Sequence, residues 1–195
     1  MTPADPSPVD DGACFACGPH NPDGLGLHFA RDGSDGARAG LTLDRKYQGY
    51  RGIAHGGIVM LLLDEAMAHA SGAAGEQVVT AALNARFRAP VPLGVPLVLV
   101  GRVLSKRGKI LKVHAALLDA AGAVLATAEG SFVSLGPVEE GRLARLLEPG
   151  QAESPSATTL EAAGPDCASR VRTIPAATEP LEPERPGNSV PIWAV

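Results

Sequence analysis

The feature that most constrains the fold is an unbroken apolar segment directly after a pair of glycines. Gly56 and Gly57 are followed by residues 58–63, all apolar, and then by Asp64. Because a helix that is apolar on every side must be buried, this pattern predicts a core helix rather than an amphipathic surface helix. The segment is far shorter than the roughly 20 apolar residues that a membrane span requires. A carboxylate is costly to bury unless it is paired or needed for chemistry, so Asp64 is a candidate functional residue.

Two interpretations of the segment remain open from these residues alone. It is either a plain core helix with its acids on a solvated edge, or a helix whose N-terminus binds an anion. The second interpretation rests on the first amides of a helix, which have no internal partner and carry the positive end of the macrodipole.

Composition excludes several classes of partner. Charged residues make up 19% of the 195 residues and the net charge is -4, so neither nucleic acid nor an anionic membrane is expected as the main partner. The first eleven residues contain no basic residue and no apolar core, which argues against a secretory signal. Three cysteines fit a reducing compartment. We therefore expect a cytoplasmic protein.

The chain divides into three parts by composition. Residues 1–12 are rich in Pro and Asp, and we expect them to be disordered. Residues 13–136 carry the periodic segments and form the predicted domain. Residues 137–195 hold nine of the 17 prolines, and we expect them to be mostly disordered, with one short helix at residues 140–148.

Strand patterns lie on both sides of the predicted helix. They cover residues 25–30 and 37–43 before it, and residues 78–87, 97–104, 110–118 and 124–133 after it. A turn signal fills each gap, which predicts a hairpin before the helix and a four-strand antiparallel meander after it. The predicted class is α+β, an antiparallel sheet wrapped round one long central helix.

A cysteine pair precedes the first strand, in Cys14-x-x-Cys17-Gly18. Such a pair can hold zinc, but tetrahedral zinc takes four ligands, and the remaining candidates, His20, His28 and Cys167, are a poor set. The sequence therefore predicts no metal, and the two cysteines are interpreted as small apolar residues in a turn-rich loop.

Several motifs in this order resemble one known family. They are Cys14-x-x-Cys17-Gly18 with Asn21-Pro22-x-Gly24-Leu25, His55-Gly56-Gly57 with Asp64 nine residues after the histidine, Thr80, and Asn84-x-x-Phe87-x-x-Pro90-x-Pro92-Leu93-Gly94. Together they resemble the hotdog-fold acyl-CoA thioesterases of the phenylacetate-pathway and thioesterase-superfamily type. The resemblance covers roughly residues 14–135.

The resemblance implies a role for each matching residue. Asp64 would be the catalytic carboxylate, as nucleophile or as general base for water. Gly56 would offer its backbone amide to the thioester oxygen, Thr80 would orient the water or the carboxylate, and His55 would position the oxyanion amide. Substrate contacts would come from Gly57, Asn84 and Gln48, the last replacing from one residue away a polar residue that the family often has at the position of Gly49.

The phosphates of coenzyme A predict a basic rim beside the site. The candidates are Arg86, Arg88, Lys106, Arg107 and Lys109. No separate cofactor is expected, because coenzyme A is part of the substrate.

Helix geometry predicts that two chains build one site. Eight residues separate Gly56 from Asp64, a rise of about 12 Å, whereas both groups must lie within about 3.5 Å of one thioester. Two antiparallel helices across a two-fold axis satisfy both distances, so we expect a homodimer, with a tetramer as the larger alternative. Two other functions stay open: a non-catalytic acyl-CoA-binding protein and a hotdog acyl-thioester hydratase.

Overall fold

The computed structural model describes residues 11–138, in which one antiparallel sheet packs against one helix. The predicted tail helix at residues 140–148 lies outside these residues. The strands are β1 (Ala30–Arg31), β2 (Gly36–Thr42), β3 (Glu76–Phe87), β4 (Pro96–Arg107), β5 (Ile110–Asp119) and β6 (Val124–Pro137), and the helix is α1 (Gly56–Ala73). Among the described residues, no helix is long and apolar enough to cross a membrane. The predicted α+β class with one central helix is confirmed.

The six strands follow the order β1-β2-β4-β5-β6-β3, and every neighbouring pair is antiparallel. The predicted four-strand meander is therefore wrong in one respect, because β3 pairs with β6 at the sheet edge and not with β4. The connection after β3 is a crossing segment rather than a hairpin turn. Its backbone bonds to Leu125 at the start of β6, to Ala54 before the helix and to Leu43 after β2.

Packing between α1 and the sheet is closest at Gly101 of β4. A Cβ atom at this position would lie 2.1 Å from the carbonyl oxygen of Ala66, inside the helix backbone. Only glycine allows the two backbones to approach so closely. Leu62, Leu63 and Met67 of the helix are fully buried, so the apolar segment forms the core that the sequence predicts.

The predicted strand at residues 25–30 is reduced to the two residues of β1. The backbone amides of Leu25 and Leu27 bond instead to the carbonyls of Phe15 and Ala16, in the loop that carries the cysteine pair. This segment still alternates as a strand does, since Leu27 and Phe29 are buried. Its hydrogen bonds therefore hold the cysteine loop against the domain.

A row of charged and titratable side chains crosses the outer face of the sheet, away from α1. Arg102 of β4, His114 of β5 and Glu129 of β6 occupy opposite positions on neighbouring strands. Burial lowers the pKa of His114, and the positive charge of Arg88 acts in the same direction while Glu129 opposes it. The folded state therefore favours the neutral imidazole at this position.

Candidate functional site

His55 caps the N-terminus of α1 with its own side chain. The Gly57 amide donates to His55 Nδ1 at 3.0 Å, and His55 has an extended backbone with φ -64° and ψ 135°. Because Nδ1 accepts this bond, it carries a lone pair and the ring proton is on Nε2. His55 therefore holds the first turn of the helix and engages the Gly57 amide, which the resemblance had assigned to substrate. Its positioning of the oxyanion amide stays a prediction.

The Gly56 amide stays available at the same helix end. Within residues 11–138 it donates no hydrogen bond, because it is the first helical residue and no acceptor lies outside the helix. The Phe87 ring at the end of β3 lies alongside, 3.6 Å from where a Cβ of residue 56 would stand. An unpaired amide on the positive end of the helix, beside an apolar ring, can stabilise a developing negative charge.

Asp64 is half-buried on α1 and faces the edge strand β3. Thr80 Oγ1 donates to Asp64 Oδ1 at 2.9 Å. Burial raises the pKa of the Asp64 carboxyl, the Thr80 hydrogen bond acts against the rise, and the neighbouring negative charge of Glu65 adds to it. A carboxyl with a raised pKa is a stronger base when it is ionised, which is the property a general base needs. The sequence predictions for Asp64 and Thr80 therefore meet at one place in the structure.

The second acid of the helix, Glu65, points to a different face and has different partners. Its carboxylate lies 3.2 Å from Nε2 of His69, one helical turn later, and 3.9 Å from the sulfur of Cys14. Burial acts to raise the pKa of the Glu65 carboxyl, but the hydrogen bond and charge of His69 and the thiols of Cys17 and Cys14 outweigh it, so the pKa lies below its ordinary value. Sequence reasoning missed this cluster, although the four-residue spacing of Glu65 and His69 signals a contact on a helix.

Gln48 is already engaged in the loop before the helix. Its side-chain oxygen accepts from the Gly52 amide at 3.0 Å, and its backbone bridges to Ala54. These two contacts stabilise the loop that precedes the helix, and the side-chain amide nitrogen remains as a donor. A substrate contact from this side chain remains a prediction.

The remaining predicted contacts are spread along the sheet. Asn84 and Arg86 lie on the outer face of β3, because the alternate residues Leu83 and Ala85 pack against the core on the helix side. Thr80 faces the helix, since a register shift between Thr80 and Ala82 reverses the alternation. Asn84 and Arg86 are therefore not brought to the Asp64 carboxylate within one protomer.

The predicted basic rim is split between two ends of the sheet. The strand register places Arg107 level with Val79, near the start of β3, whereas Arg86 and Arg88 lie at its far end, about 20 Å away. Lys106 is ion-paired with Glu76. A single protomer does not assemble these cations into one patch.

Gly56 and Asp64 likewise lie at separate places in one protomer. The Gly56 end of α1 lies against Phe87, and Asp64 lies against Thr80, seven residues earlier on β3. α1 and β3 therefore run in opposite directions. The predicted oxyanion donor, Gly56, and the predicted carboxylate, Asp64, lie at different points along them.

Comparison with known proteins places this geometry in a family. The family model of the thioesterase superfamily matches residues 51–126, from the loop before α1 to the start of β6. No curated protein sequence matches this chain. The protein smu.793 of Streptococcus mutans, solved bound to acetyl-CoA, shares the fold with a TM-score of 0.55 at 19% identity, covering 58% of this chain and 91% of its own.

Two further solved structures are similar to this chain. The PaaI protein of the Escherichia coli phenylacetic acid degradation operon has a TM-score of 0.55 at 20% identity, covering 58% of this chain and 83% of its own. A crystal structure described as a thioesterase superfamily protein is 30% identical, with a TM-score of 0.61 over 67% of this chain and 68% of that chain. With this relative and the family match, the chain belongs to the thioesterase superfamily and has its hotdog fold.

Proposed function

We propose that the protein hydrolyses an acyl-CoA thioester to the free acid and coenzyme A, in a site shared by two protomers. One observation carries the proposal. The half-buried Asp64 carboxylate, held by Thr80, lies on the same helix as the Gly56 amide, which has no hydrogen-bond partner among residues 11–138. These are a base or nucleophile and an oxyanion donor, the two groups that thioester hydrolysis needs.

Two chemical routes fit these groups. In the first, Asp64 takes a proton from water as the water oxygen attacks the carbonyl carbon, and the carbonyl electrons move to an oxyanion that the Gly56 amide binds. Collapse of the tetrahedral intermediate breaks the carbon–sulfur bond and releases the thiolate of coenzyme A. In the second, the Asp64 carboxylate itself attacks the carbonyl carbon, the carbon–sulfur bond breaks and the thiolate of coenzyme A leaves. Water then hydrolyses the mixed anhydride, which releases the free acid and regenerates Asp64. Neither route requires an acid for the leaving group, because a thiolate leaves readily.

The surface that each protomer presents supports the proposed dimer. β3 is an edge strand with mostly exposed side chains, and Met60, one turn before Asp64 on α1, is 41% exposed. An exposed strand edge beside apolar side chains is a surface that pairs with another strand. Antiparallel pairing of two β3 strands about an axis near Leu83 sets Thr80 and Asp64 of one protomer against the Gly56 end of the other.

The same pairing also changes which cations lie near one another. Because paired antiparallel strands reverse direction, the start of β3 in one protomer meets the end that carries Arg86 and Arg88 in the other. Arg86 keeps its place on the outer face of the joined sheet, whereas Asp64 and Thr80 lie on the helix side. Contacts between these cations and the phosphates of coenzyme A stay a prediction.

The test is the release of free thiol from a panel of aryl, short-chain and long-chain acyl-CoAs by the full-length protein. We expect turnover of at least one member of the panel. Asp64→Asn should lower kcat by about 10²- to 10⁴-fold, the range typical of a positioned base. Unchanged release by a folded Asp64→Asn protein, or no release from any thioester by the wild type, would exclude the proposal.

A further inference from the structure

The cysteine loop and the helix α1 converge on one cluster away from Asp64. The sulfurs of Cys14 and Cys17 and a carboxylate oxygen of Glu65 all lie within 4.8 Å of one another. Cys14 and Glu65 are 51 residues apart in the chain, so the fold itself brings them together. Three ligand atoms at this spacing need only small side-chain rotations to reach one ion at zinc–sulfur distances of about 2.3 Å.

The loop that carries the two cysteines is tightly built. Its turn is closed by a hydrogen bond from the Gly18 amide to the Cys14 carbonyl at 2.9 Å. A Cβ at residue 18 would lie 2.3 Å from the Cys14 nitrogen and 2.4 Å from the Gly12 carbonyl oxygen, so the turn requires glycine. Ala16, between the cysteines, is 1% exposed and anchors the loop in the core. The backbone positions of the two cysteines are thus fixed relative to one another.

The Glu65 carboxylate is positioned by its own supporting residue. His69 Nε2 lies 3.2 Å from Glu65 Oε1, and the His69 ring stacks on Phe29 with centroids 4.1 Å apart. The imidazole is buried, which fixes its orientation. A histidine that donates to a ligating carboxylate is the type of support that metal ligands usually have.

The charges of the cluster also favour a cation. Among residues 11–138, His69 is the one basic side chain that is ion-paired with the Glu65 carboxylate. The other neighbours of the carboxylate are the two cysteine sulfurs. A divalent ion would displace the two thiol protons into solvent and then bind both thiolates and the carboxylate.

We propose that Cys14, Cys17 and Glu65 bind one zinc ion, which pins the N-terminal loop to the central helix. Two thiolates select a thiophilic metal over magnesium or calcium, and a carboxylate oxygen is a further ligand that zinc accepts. A water molecule takes the fourth tetrahedral position, since Cys14 reaches the surface. The sequence predicted no metal because only cysteines and histidines were considered as zinc ligands. Nothing in the sequence marks Glu65 as a ligand. The zinc site does not depend on the proposed hydrolysis.

The test uses the full-length protein, reduced, stripped with a chelator and then titrated with Zn²⁺. We expect one equivalent to bind and to raise the unfolding temperature, because an ion that binds only the folded state stabilises it. Titration with Co²⁺ should give the near-ultraviolet thiolate-to-cobalt absorption of a site with two sulfur ligands. Cys17→Ser and Glu65→Gln should each abolish this binding, while Cys167→Ser, which changes the third cysteine of the chain, should leave it intact.

His69→Gln distinguishes a supported ligand from an adventitious one. We expect it to weaken Zn²⁺ affinity by roughly 10- to 100-fold, the effect typical of residues that orient a metal ligand. Wild-type protein supplies a measurement that needs no variant: bound Zn²⁺ should protect Cys14 and Cys17, but not Cys167, from alkylation mapped by mass spectrometry. The absence of stoichiometric binding, equal alkylation of these cysteines with and without Zn²⁺, or binding that survives Cys17→Ser would overturn the proposal.

Discussion

Replacing Gly56 by proline removes a backbone N–H at a helix position that tolerates the proline ring. Gly56 is the first residue of α1, the helical position that proline favours because its missing N–H has no partner in the helix. The preceding residue, His55, already has the extended conformation that proline requires of its neighbour, with φ -64° and ψ 135°. The new Cβ makes an ordinary contact with Phe87 at 3.6 Å. We therefore expect Gly56→Pro to fold, with a free energy of unfolding within about 1 kcal/mol of the wild type.

The expected loss of activity follows from the role of that donor. If the Gly56 amide binds the oxyanion, its removal lowers kcat by roughly 10²- to 10³-fold, equivalent to about 2.7–4 kcal/mol of transition-state stabilisation. KM should change far less, because the ground-state carbonyl gains little from the bond. The measurement is steady-state thiol release from the best acyl-CoA of the panel, with urea denaturation of the same preparation.

Gly56→Ala is the matched control, since it adds the same Cβ and keeps the N–H. We expect it to retain most of the wild-type kcat. Full activity in a folded Gly56→Pro protein would refute the oxyanion assignment. Equal losses in the alanine and proline variants would show that space beside Phe87 matters, and not the donor.

The same variant tests whether the site is shared. Unfolding and refolding a mixture of Gly56→Pro and Asp64→Asn proteins yields dimers of which about half are mixed, and each mixed dimer holds one intact site. We expect the mixture to regain about one quarter of the wild-type activity, although each variant alone is nearly inactive. A mixture no more active than its parents would place both groups in one chain and contradict the shared site.

Three further outcomes are expected. Thr80→Val should lower kcat by roughly 10- to 100-fold, because a hydrogen bond to a charged group is worth about 1.5–3 kcal/mol; an unchanged kcat would remove Thr80 from the mechanism. Gly101→Ala should lower the free energy of unfolding by about 3 kcal/mol, since its Cβ meets the backbone at Ala66 and no side chain can move aside; urea denaturation measures this. The free energy of unfolding should fall as pH drops below about 6.5, because the pKa of His114 is lower in the folded state than in the unfolded state. The unfolded chain therefore binds a proton at a pH at which the folded chain does not. His114→Gln should remove that component of the decline, and an identical pH dependence in the variant would contradict it.

The helix and most strands could be predicted from the sequence because local signals define them. The Gly-Gly entry and the uninterrupted apolar segment set the start of α1 within one residue, and turn residues separate the later strands. The place of β3 could not be predicted in this way. Its position at the edge depends on where the segment after Phe87 crosses, and that path is fixed by hydrogen bonds to Leu43, Ala54 and Leu125, which are distant in sequence.

The same difference between local signals and long-range contacts applies to the candidate site. Asp64 could be predicted as a functional residue because it directly follows a buried apolar helical segment, where a carboxylate is costly. Thr80 was predicted from the family resemblance alone. The cluster around Glu65 gave no comparable signal. Its ligand atoms belong to a loop and a helix 51 residues apart, and the loop is held by backbone hydrogen bonds from Leu25 and Leu27 that the sequence pattern does not reveal.

The two acids of α1 show how adjacent residues acquire separate roles. Successive residues on a helix point about 100° apart, so Asp64 and Glu65 cannot share an environment. Asp64 meets a neutral hydroxyl on the edge strand, and burial raises its pKa, which suits proton transfer. Glu65 meets a histidine and two thiols, and its pKa falls, which suits a permanently charged ligand. Because the negative charge of Glu65 raises the pKa of Asp64, a zinc ion bound at Glu65 would lower the pKa of Asp64 again, so the proposed zinc site and the proposed base would be electrostatically coupled.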